Sequence, residues 1–364
     1  MEHLRLIKTD YTYADLSTSA SPAVEKTMEE GEVPSTLLIN FFSKDSITTG
    51  VLEDPERSVD LGFCLEKGIA VRRRQNPGGA IFANQGSYMF CLYLRLSEPW
   101  VPFKSIREAF PFYLERMAQV LDGLFSVESR YRPVNDIEVN GRKLVATSAR
   151  LEKGILTLRS LINVTPVDRE IMSMAIIARP EKFKDKAQKD AGSRFTCLEE
   201  EVGRSIQRRE MYEFAEQIMT KVFGPKIEIR EGELTSTESQ YLRQLQDKFG
   251  SDEWFFANSE RTRFRNANPA ARKVEAFHKA PAGLMGLVLL AYEGRVDDLI
   301  LLADFHPSPM TVLTQMEDAL RAQPLAIEKL MDQVGRVYNA PGVEIPGTDL
   351  RDFETLLDKA LRLL

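Results

Sequence analysis

The chain has 364 residues, of which 43% are hydrophobic and 28% charged, a composition typical of soluble globular proteins. This length suggests two domains, or one large domain with an appendage. A formal charge of −6 argues against extensive nucleic-acid binding, which usually needs a basic face. The N-terminus lacks the apolar stretch of a signal peptide, and no apolar run reaches the length of a membrane span, so we expect a cytoplasmic protein without a membrane partner.

Cysteine and histidine are rare and widely spaced. The chain holds Cys64, Cys91, Cys197, His3, His278 and His306. An odd number of scattered cysteines predicts no disulfide framework, and we expect buried free thiols. No pair of histidines has the spacing of a helical metal site, so a metal held by histidine or thiolate ligands is not expected.

The first half of the chain shows several strand patterns and one helix pattern. Apolar runs predict strands at 36–42, 80–83 and 87–96. Pro111 suits the first turn of a helix, and apolar residues at helical spacing continue that helix through Leu124. Asn140-Gly141 lies between two strand-like runs, Asp136–Val139 and Arg142–Thr147, which predicts a type I′ hairpin.

The second half begins with another predicted strand at 154–164 and a polar, lysine-rich loop at 179–193. Two helices fit residues 197–222, and a strongly polar helix at 236–248 could join two domains. A second unit begins near Trp254. Its predicted elements are a hairpin of 284–292 with 296–303, and helices at 309–322, 325–336 and 348–363. Hairpins with intervening helices, without regular strand–helix alternation, favour the α+β class.

The segment at 71–80 could bind an anion. Three arginines precede Gly78 and Gly79; arginine forks suit phosphate or carboxylate oxygens, and glycines let the backbone approach a ligand. The segment matches neither the phosphate-loop nor the dinucleotide fingerprint. An ordinary turn after a charged strand end is the alternative interpretation.

The hairpin could supply the chemistry. A lysine in a closed site, here Lys143, can neutralise negative charge that develops on a phosphate or carboxylate. Asp136 could hold Mg²⁺. The alternative interpretation is an ordinary hairpin with a solvent-facing Arg142-Lys143 pair.

Together these segments resemble the lipoate–protein ligase family. Arg73-Arg-Gln-Asn-Pro-Gly-Gly-Ala80 is similar to its Arg-Arg-x-Ser/Thr-Gly-Gly-Gly-Ala motif, and Asn135-Asp-Ile…Gly-Arg-Lys-Leu-Val-Ala-Thr147 to its Asn-Asp…Gly-Arg-Lys-Ile-Ser-Gly-Ser motif. Pro180-Glu-Lys-Phe-Lys-Asp-Lys186 resembles its adenylate loop, and the stretch from Ala282 to Leu320 its accessory domain. The resemblance spans roughly residues 12–362.

The resemblance implies a class II synthetase-like, biotin-protein-ligase-like fold: a mixed, largely antiparallel sheet with helices, plus a small α/β accessory domain. We expect a catalytic domain at 1–232, a linker helix at 233–253 and the accessory domain at 254–364. The implied activity is ATP-dependent activation of lipoate as lipoyl-AMP, with transfer to a lysine of a lipoyl carrier domain. The implied partners are the E2 subunit of 2-oxoacid dehydrogenases or the glycine-cleavage H protein.

The resemblance also implies roles for individual residues. Lys143 would be catalytic, and Asp136 would hold Mg²⁺. An apolar slot for the acyl chain could lie between the strand at 87–96 and the helix at 111–125. A loop at 180–190 would close over the adenylate. The residues expected to bind substrate or ATP are Arg73, Arg74, Gly78, Gly79, Ala80, Asn135, Asp136, Thr147 and Lys182.

The sequence departs from the family pattern around the ligand rim. Pro77 replaces a glycine, Val134 an arginine and Ala146 a glycine. Thr157-Leu158-Arg159 stands where the family has His-His-Gly. The family's Gly-x-x-Gln pattern is not evident, because Gly50 is followed by Val51-Leu52-Glu53. These changes suggest a different acyl acid or a weakened enzyme. Two alternatives therefore stay open: an ATP-independent lipoyl or octanoyl transferase with a cysteine nucleophile, for which Cys197 is the candidate, and a non-catalytic acyl-binding homologue.

Overall fold

The computed structural model describes residues 3–12, 14–177, 179 and 194–364; for residues 10–12, 15 and 16 only the backbone is described. Lys182 and the predicted closing loop at 180–190 lie outside the described residues. The α+β prediction is confirmed, because helices pack on both faces of a large mixed sheet and on a second, separate sheet.

Strands and helices follow one another without regular alternation. The strands are β1 (His3–Thr12), β2 (Thr36–Phe42), β3 (Ser46–Thr49), β4 (Ala70–Arg73), β5 (Ile81–Ala83), β6 (Tyr88–Arg95), β7 (Ser129–Arg132), β8 (Asp136–Val139), β9 (Arg142–Glu152), β10 (Ile155–Ile162), β11 (Glu228–Gly232), β12 (Arg272–Lys279), β13 (Leu284–Tyr292) and β14 (Arg295–Ala303). The helices are α1 (Ala14–Glu29), α2 (Pro55–Ser58), α3 (Leu61–Lys67), α4 (Ile106–Phe125), α5 (Arg169–Ala175), α6 (Leu198–Val202), α7 (Arg208–Phe223), α8 (Ser236–Gly250), α9 (Asp252–Phe255), α10 (Glu260–Arg263), α11 (Val312–Leu320), α12 (Ile327–Tyr338) and α13 (Leu350–Leu361).

Within the described residues, eight strands form the large sheet in the order β11-β1-β2-β6-β10-β9-β8-β7. β1 runs parallel to β2 and β11, and the other pairs are antiparallel. Successive side chains of a strand point to opposite faces, so each face has its own core. Phe90 and Leu92 of β6 pack with α4 and α7. Cys91 and Tyr93 lie on the other face with α1 and with Leu242 of α8.

The predicted helix after residue 111 is longer at its N-terminus than expected. It begins at Ile106, and Ser105 caps it by accepting a hydrogen bond from the backbone N–H of Glu108, 3.2 Å away. Glu108 in turn accepts from the backbone N–H of Lys104 at 2.8 Å. The placement of Pro111 in the first turn was wrong, because this Ser-x-x-Glu capping signature sets the start and leaves the proline inside the helix.

The Asn-Gly hairpin is confirmed. β8 and β9 pair antiparallel around Asn140 and Gly141, whose φ angles are 52° and 73°. Positive φ at both central residues is the requirement of a type I′ turn. Because β9 continues to Glu152 and then pairs with β10, the hairpin is anchored in the large sheet rather than projecting from it.

A small sheet beside the large one carries the arginine–glycine segment. β3 lies between β4 and β5, so the chain that leaves β4 at Arg73 returns through residues 74–80 to β5. We call residues 77–80 the glycine turn. This arrangement holds the glycine turn at the edge of a three-stranded sheet.

The last third of the chain has its own core. β12, β13 and β14 form an antiparallel sheet, and the buried faces of α11, α12 and α13 pack with it. The predicted hairpin of 284–292 with 296–303 is confirmed by this pairing. The predicted linker helix is α8, and it packs on α1 with Glu238 in a buried ion pair to Arg5 at 2.5 Å. We retain the predicted domain boundaries as a proposal.

None of the described helices combines the length and the apolar character that crossing a bilayer requires.

Candidate functional site

A cavity of about 220 Å³ lies where the glycine turn, the β8–β9 hairpin and the C-terminal unit meet. The sequence placed the first two segments about sixty residues apart, and the fold brings them to one site. The described lining includes Lys143, which was expected to be catalytic. Of the residues expected to bind substrate or ATP, it includes Arg74, Gly78, Gly79, Ala80, Asn135, Asp136 and Thr147.

Lys143 projects from β9 into this cavity with 24% of its side chain exposed. Its Nζ atom lies 2.7 Å from Oδ2 of Asp136, and 5.7 Å from the centre of the Phe195 ring. The backbone of Lys143 is held on its other side as well, since its carbonyl accepts a hydrogen bond from the N–H of Thr196 at 3.0 Å. The ammonium is therefore fixed by its neighbours but open to a ligand.

Asn135 and Thr147 lock the start of β8 to β9. The Asn135 side chain donates to the carbonyl oxygen of Thr147 at 2.6 Å, and the N–H of Thr147 donates to the carbonyl of Asn135 at 3.0 Å. The hydroxyl of Thr147 shares a hydrogen bond of 2.8 Å with Ser160 on β10. These contacts position Asp136, whose Oδ1 atom is buried and has no hydrogen-bond partner.

Arg74 shapes the glycine turn. Its side chain is fully buried, and Nη2 donates to the carbonyl oxygens of Pro77 and Gly79, both at 2.9 Å. Nη1 donates to the carbonyl of Thr48 at 2.8 Å. Burial, and then the charge of Arg159, lower the pKa of Arg74 to about 9. The guanidinium therefore forms its hydrogen bonds mainly with backbone carbonyl oxygens, and it also forms part of the cavity wall.

Arg73 is not brought into the described cavity lining. Its guanidinium donates to the carbonyl oxygens of Val51 and Trp254, and lies 4.9 Å from the Trp254 ring. The Trp254 indole donates to the Arg73 carbonyl at 2.7 Å. Alternate residues of a strand point to opposite sides, so neighbouring arginines could not both face the same ligand. Arg73 joins the start of the C-terminal unit to the small sheet instead.

The C-terminal unit adds a histidine that the sequence analysis did not place here. His306 is buried, and its ring packs on Phe110 at 5.3 Å between centroids. A Cβ atom on Gly78 would come within 3.2 Å of His306 Nε2, which has no hydrogen-bond partner. Burial, followed by the charge of Arg74, lowers the pKa of His306 to about 3, so the ring is neutral. A contact over more than 200 residues leaves no local sequence signal.

The charge of the cavity is predominantly basic. Its described acidic side chains are Asp136 and Asp304, whereas its basic side chains are Arg74, Arg132, Lys143, Arg194 and Lys279. Such a lining attracts an anion with several charges. It would suit the phosphates of a nucleotide next to a carboxylate.

The predicted acyl slot between the strand at 87–96 and the helix at 111–125 is not a cavity in the fold. Side chains of β6 and α4 pack against each other in the main core, among them Phe90, Tyr113 and Met117. Each of these three is fully buried. Side chains of the main core therefore occupy the space that was predicted to hold an acyl chain.

All three cysteines are described, and none lines the cavity. Cys197 is buried at the start of α6, as the sequence suggested, and its sulfur accepts from the backbone N–H of Glu200 at 3.5 Å. Burial raises the pKa of this thiol to about 11 and does the same for Cys64. Burial also raises the pKa of Cys91. Such thiols carry little thiolate at neutral pH and are weak nucleophiles.

Comparison with known structures supports the architecture. The chain superimposes on P. falciparum LipL1 in complex with lipoate with a TM-score of 0.71 at 13% identity, covering 99% of both chains. A bipartite lipoate protein ligase from Thermoplasma acidophilum, studied with its E2 lipoyl domain, gives 0.59 at 19% identity over 70% of this chain and 97% of that one. A lipoate-protein ligase A bound with ATP gives 0.58 at 21% identity over 70% and 99%. The predicted class II synthetase-like fold is confirmed.

Sequence comparison gives relatives of two kinds. Lipoate-protein ligase A subunit 1 of Thermoplasma acidophilum is 24% identical over 249 residues, 66% of this chain and 90% of that protein. Octanoyltransferase LipM of Geobacillus kaustophilus is 21% identical over 277 residues, 69% and 97% respectively. The family model described as the lipoyl protein ligase A/B catalytic domain matches residues 22–222. Because this match covers more than half of the chain, the protein belongs to the lipoyl protein ligase A/B family.

Proposed function

We propose that this protein activates lipoate, or a related medium-chain acid, with ATP and transfers the acyl group to a lysine of a lipoyl carrier domain. The observation that carries the proposal is the position of Lys143, whose ammonium faces the same cavity as Gly78 and Gly79. A cation opposite a glycine turn is suited to an acid that is becoming an acyl-adenylate.

Residues of the cavity have distinct roles in the proposed formation of the acyl-adenylate. Gly78, Gly79 and Ala80 let the backbone approach the carboxylate and the α-phosphate. Lys143 stabilises the negative charge that increases on the oxygens between them as the carboxylate attacks and pyrophosphate leaves. Arg74 holds the glycine turn through its bonds to the Pro77 and Gly79 carbonyls. Asn135, Thr147 and Lys182 belong to the proposed nucleotide site.

Asp136 fits a role in holding Mg²⁺. Its buried Oδ1 atom has no partner, and Oδ2 already neutralises Lys143. The described residues contain no cluster of three or more histidine, cysteine or acidic side chains. Mg²⁺ is usually held through one or two carboxylates together with phosphates and water, and Asp136 would supply one such carboxylate. The ion would neutralise phosphate charge and orient the leaving pyrophosphate.

The partner supplies the nucleophile of the second step. A relative with the same fold has been studied with its E2 lipoyl domain, and this supports a lipoyl carrier domain as the acceptor. We propose that this domain belongs to an E2 subunit or to an H protein. The carrier amine attacks the acyl carbonyl, and AMP leaves. Exclusion of water from the adenylate would protect it from hydrolysis until the carrier binds.

An ATP-independent transferase is the second candidate, favoured by the octanoyltransferase relatives. That reaction was expected to use a cysteine next to the lysine. The burial of all three cysteines, the raised pKa of Cys197 and their absence from the cavity lining argue for the ligase. A non-catalytic acyl-binding protein is the third candidate, and the retained Lys143–Asp136 pair argues against it.

One assay separates the three. The protein is incubated with an apo lipoyl domain and either ATP, Mg²⁺ and lipoate, or an octanoyl carrier protein without ATP, and the lipoyl domain is weighed by mass spectrometry. An ATP-dependent mass gain that Lys143→Ala abolishes is expected. A gain only from the octanoyl donor, abolished by Cys197→Ser, would identify the transferase. No gain under either condition, despite binding of lipoate, would identify the acyl-binding protein.

A further inference from the structure

The face of the large sheet next to α1 carries a buried arginine that the proposed chemistry does not use. Arg159 lies on β10 with 3% of its surface exposed. Its Nη2 atom donates to the carbonyl oxygen and the hydroxyl of Ser17 on α1, at 3.1 and 3.3 Å. Its Nε and Nη1 atoms have no hydrogen-bond partner of ordinary geometry. Since a guanidinium has five N–H donors, three of them lack a partner of ordinary geometry, although the Cys91 thiol lies close enough to interact with Arg159.

Among the residues whose side chains are described, none forms an ion pair with Arg159. The described carboxylates near this region include Glu25, which is bonded to Arg150 and to the hydroxyl of Thr157, and Glu53, which acts on Arg74. Cys91 lies opposite Arg159 on β6, and burial raises the pKa of its thiol, so it stays neutral. A buried cation without a partner is expensive, and a bound anion would compensate that cost.

A second buried guanidinium makes this region more positive. The charge of Arg159 reaches Arg74 and contributes to lowering its pKa, although Glu53 opposes that effect. The hydrogen bonds of Arg74 go to neutral groups, the backbone carbonyls of the glycine turn and of β3 with the Thr48 hydroxyl. Arg74 and Arg159 are therefore two buried cations close enough to affect each other, and Arg74 lines the cavity.

The sheet register connects Arg159 to the catalytic cavity. Arg159 on β10 is the direct partner of Ser148 on β9, and directly opposed residues share a face of the sheet. Ser148 lines the cavity that also contains Lys143. Ser148 lies five positions after Lys143 along β9, which is on the order of 15 Å between their Cα atoms. Both side chains are long and shorten the gap, so a medium-chain acid can span from one cation to the other.

We propose that the far end of the acyl site, beyond Ser148, binds a second anionic group. The preferred acid is then a medium-chain dicarboxylate, with one carboxylate activated beside Lys143 and the other bonded to Arg159. An acid with an apolar end, such as lipoate or octanoate, would leave the guanidinium unpaired; it is bound more weakly but can still be activated beside Lys143. The inference rests on the proposed function for what happens at the near carboxylate, but binding at Arg159 requires neither ATP nor transfer.

The binding test uses three ligands of equal chain length and the full protein. Isothermal titration calorimetry without ATP compares octanedioate, octanoate and the monomethyl ester of octanedioate. The ester keeps the eight-carbon chain and all four oxygen atoms of octanedioate, but its methyl group removes the second negative charge. Octanedioate is expected to bind at least about tenfold more tightly than either of the others, because charge-assisted hydrogen bonds to a buried guanidinium are strong. Equal or tighter binding of octanoate would overturn the proposal.

Variants assign the preference to one side chain. Arg159→Leu is expected to bind octanoate better than octanedioate. Arg159→Lys, the conservative replacement that keeps the positive charge, is expected to retain a reduced preference for octanedioate. Arg230→Leu, at an exposed arginine of the distant edge strand β11, should behave as the wild type. An unchanged preference in both Arg159 variants would contradict the inference. A dicarboxylate preference without any ATP-dependent transfer would refute the proposed function alone.

Discussion

Replacement of Gly78 by alanine tests whether the glycine turn is as tightly enclosed as the structure indicates. Gly78 has a φ of +101°, a region that L-residues rarely adopt, and this strain costs about 1–3 kcal/mol. An added Cβ would also lie 2.9 Å from Arg74 Nη2 and 3.2 Å from His306 Nε2. Neither neighbour can move freely, because Arg74 is bonded to two carbonyls of the turn and His306 is fully buried. Overpacking of this kind adds about 1–3 kcal/mol.

Gly31 provides the matched control. Its φ is +78°, but a Cβ added there would meet no atom within 4 Å, so Gly31→Ala carries the backbone strain without the steric contact. Urea denaturation of both variants should place Gly78→Ala about 1–3 kcal/mol below Gly31→Ala in free energy of unfolding. If both variants lose the same stability, Arg74 and His306 do not enclose the turn, and the account of the cavity wall is incorrect.

Three further substitutions test other parts of the structure. A Cβ on Gly50 would lie 1.9 Å from the Gly78 carbonyl oxygen, so Gly50→Ala should displace the glycine turn and reduce acyl transfer at least about tenfold; full activity would contradict this contact. Glu238→Ala leaves buried Arg5 without its carboxylate and should cost about 3–5 kcal/mol in urea denaturation, whereas Glu228→Ala in an exposed pair should have little effect. The pKa of His306 is about 3 in the folded protein and near 6.5 when unfolded, so its contribution is complete above pH 6.5 and is lost as the pH falls toward 3. Wild-type protein should lose about 2 kcal/mol more than His306→Phe between pH 7 and pH 5, and identical pH profiles would refute the burial of a neutral ring.

Local sequence patterns predicted the elements well where short-range chemistry decides the structure. The type I′ hairpin follows from Asn140-Gly141, and the strand at 36–42 from its continuous apolar run. The predicted start of α4 was too late, because the helix begins after the capping residue Ser105 and Pro111 lies inside it. Helix α1 was not predicted, although it packs on the second face of the large sheet.

The candidate site was predicted only in part, because contacts across the chain leave no local pattern. The glycine turn and Lys143 were expected in one cavity, and the fold brings both there. The consecutive arginines Arg73 and Arg74 could not be told apart without knowing which side of β4 faces the cavity. His306 comes from another unit, and its contact with Gly78 depends on how that unit packs.

The most direct test of the central claim is the exchange of labelled pyrophosphate into ATP in the presence of lipoate. This exchange measures formation of the acyl-adenylate separately from transfer. Lys143→Ala should reduce this exchange about 10²–10³-fold, because one positive group aimed at the developing charge is removed. Lys153→Ala, at an exposed lysine just beyond the same strand, should exchange at the wild-type rate. Normal exchange by a folded Lys143→Ala variant would contradict the account.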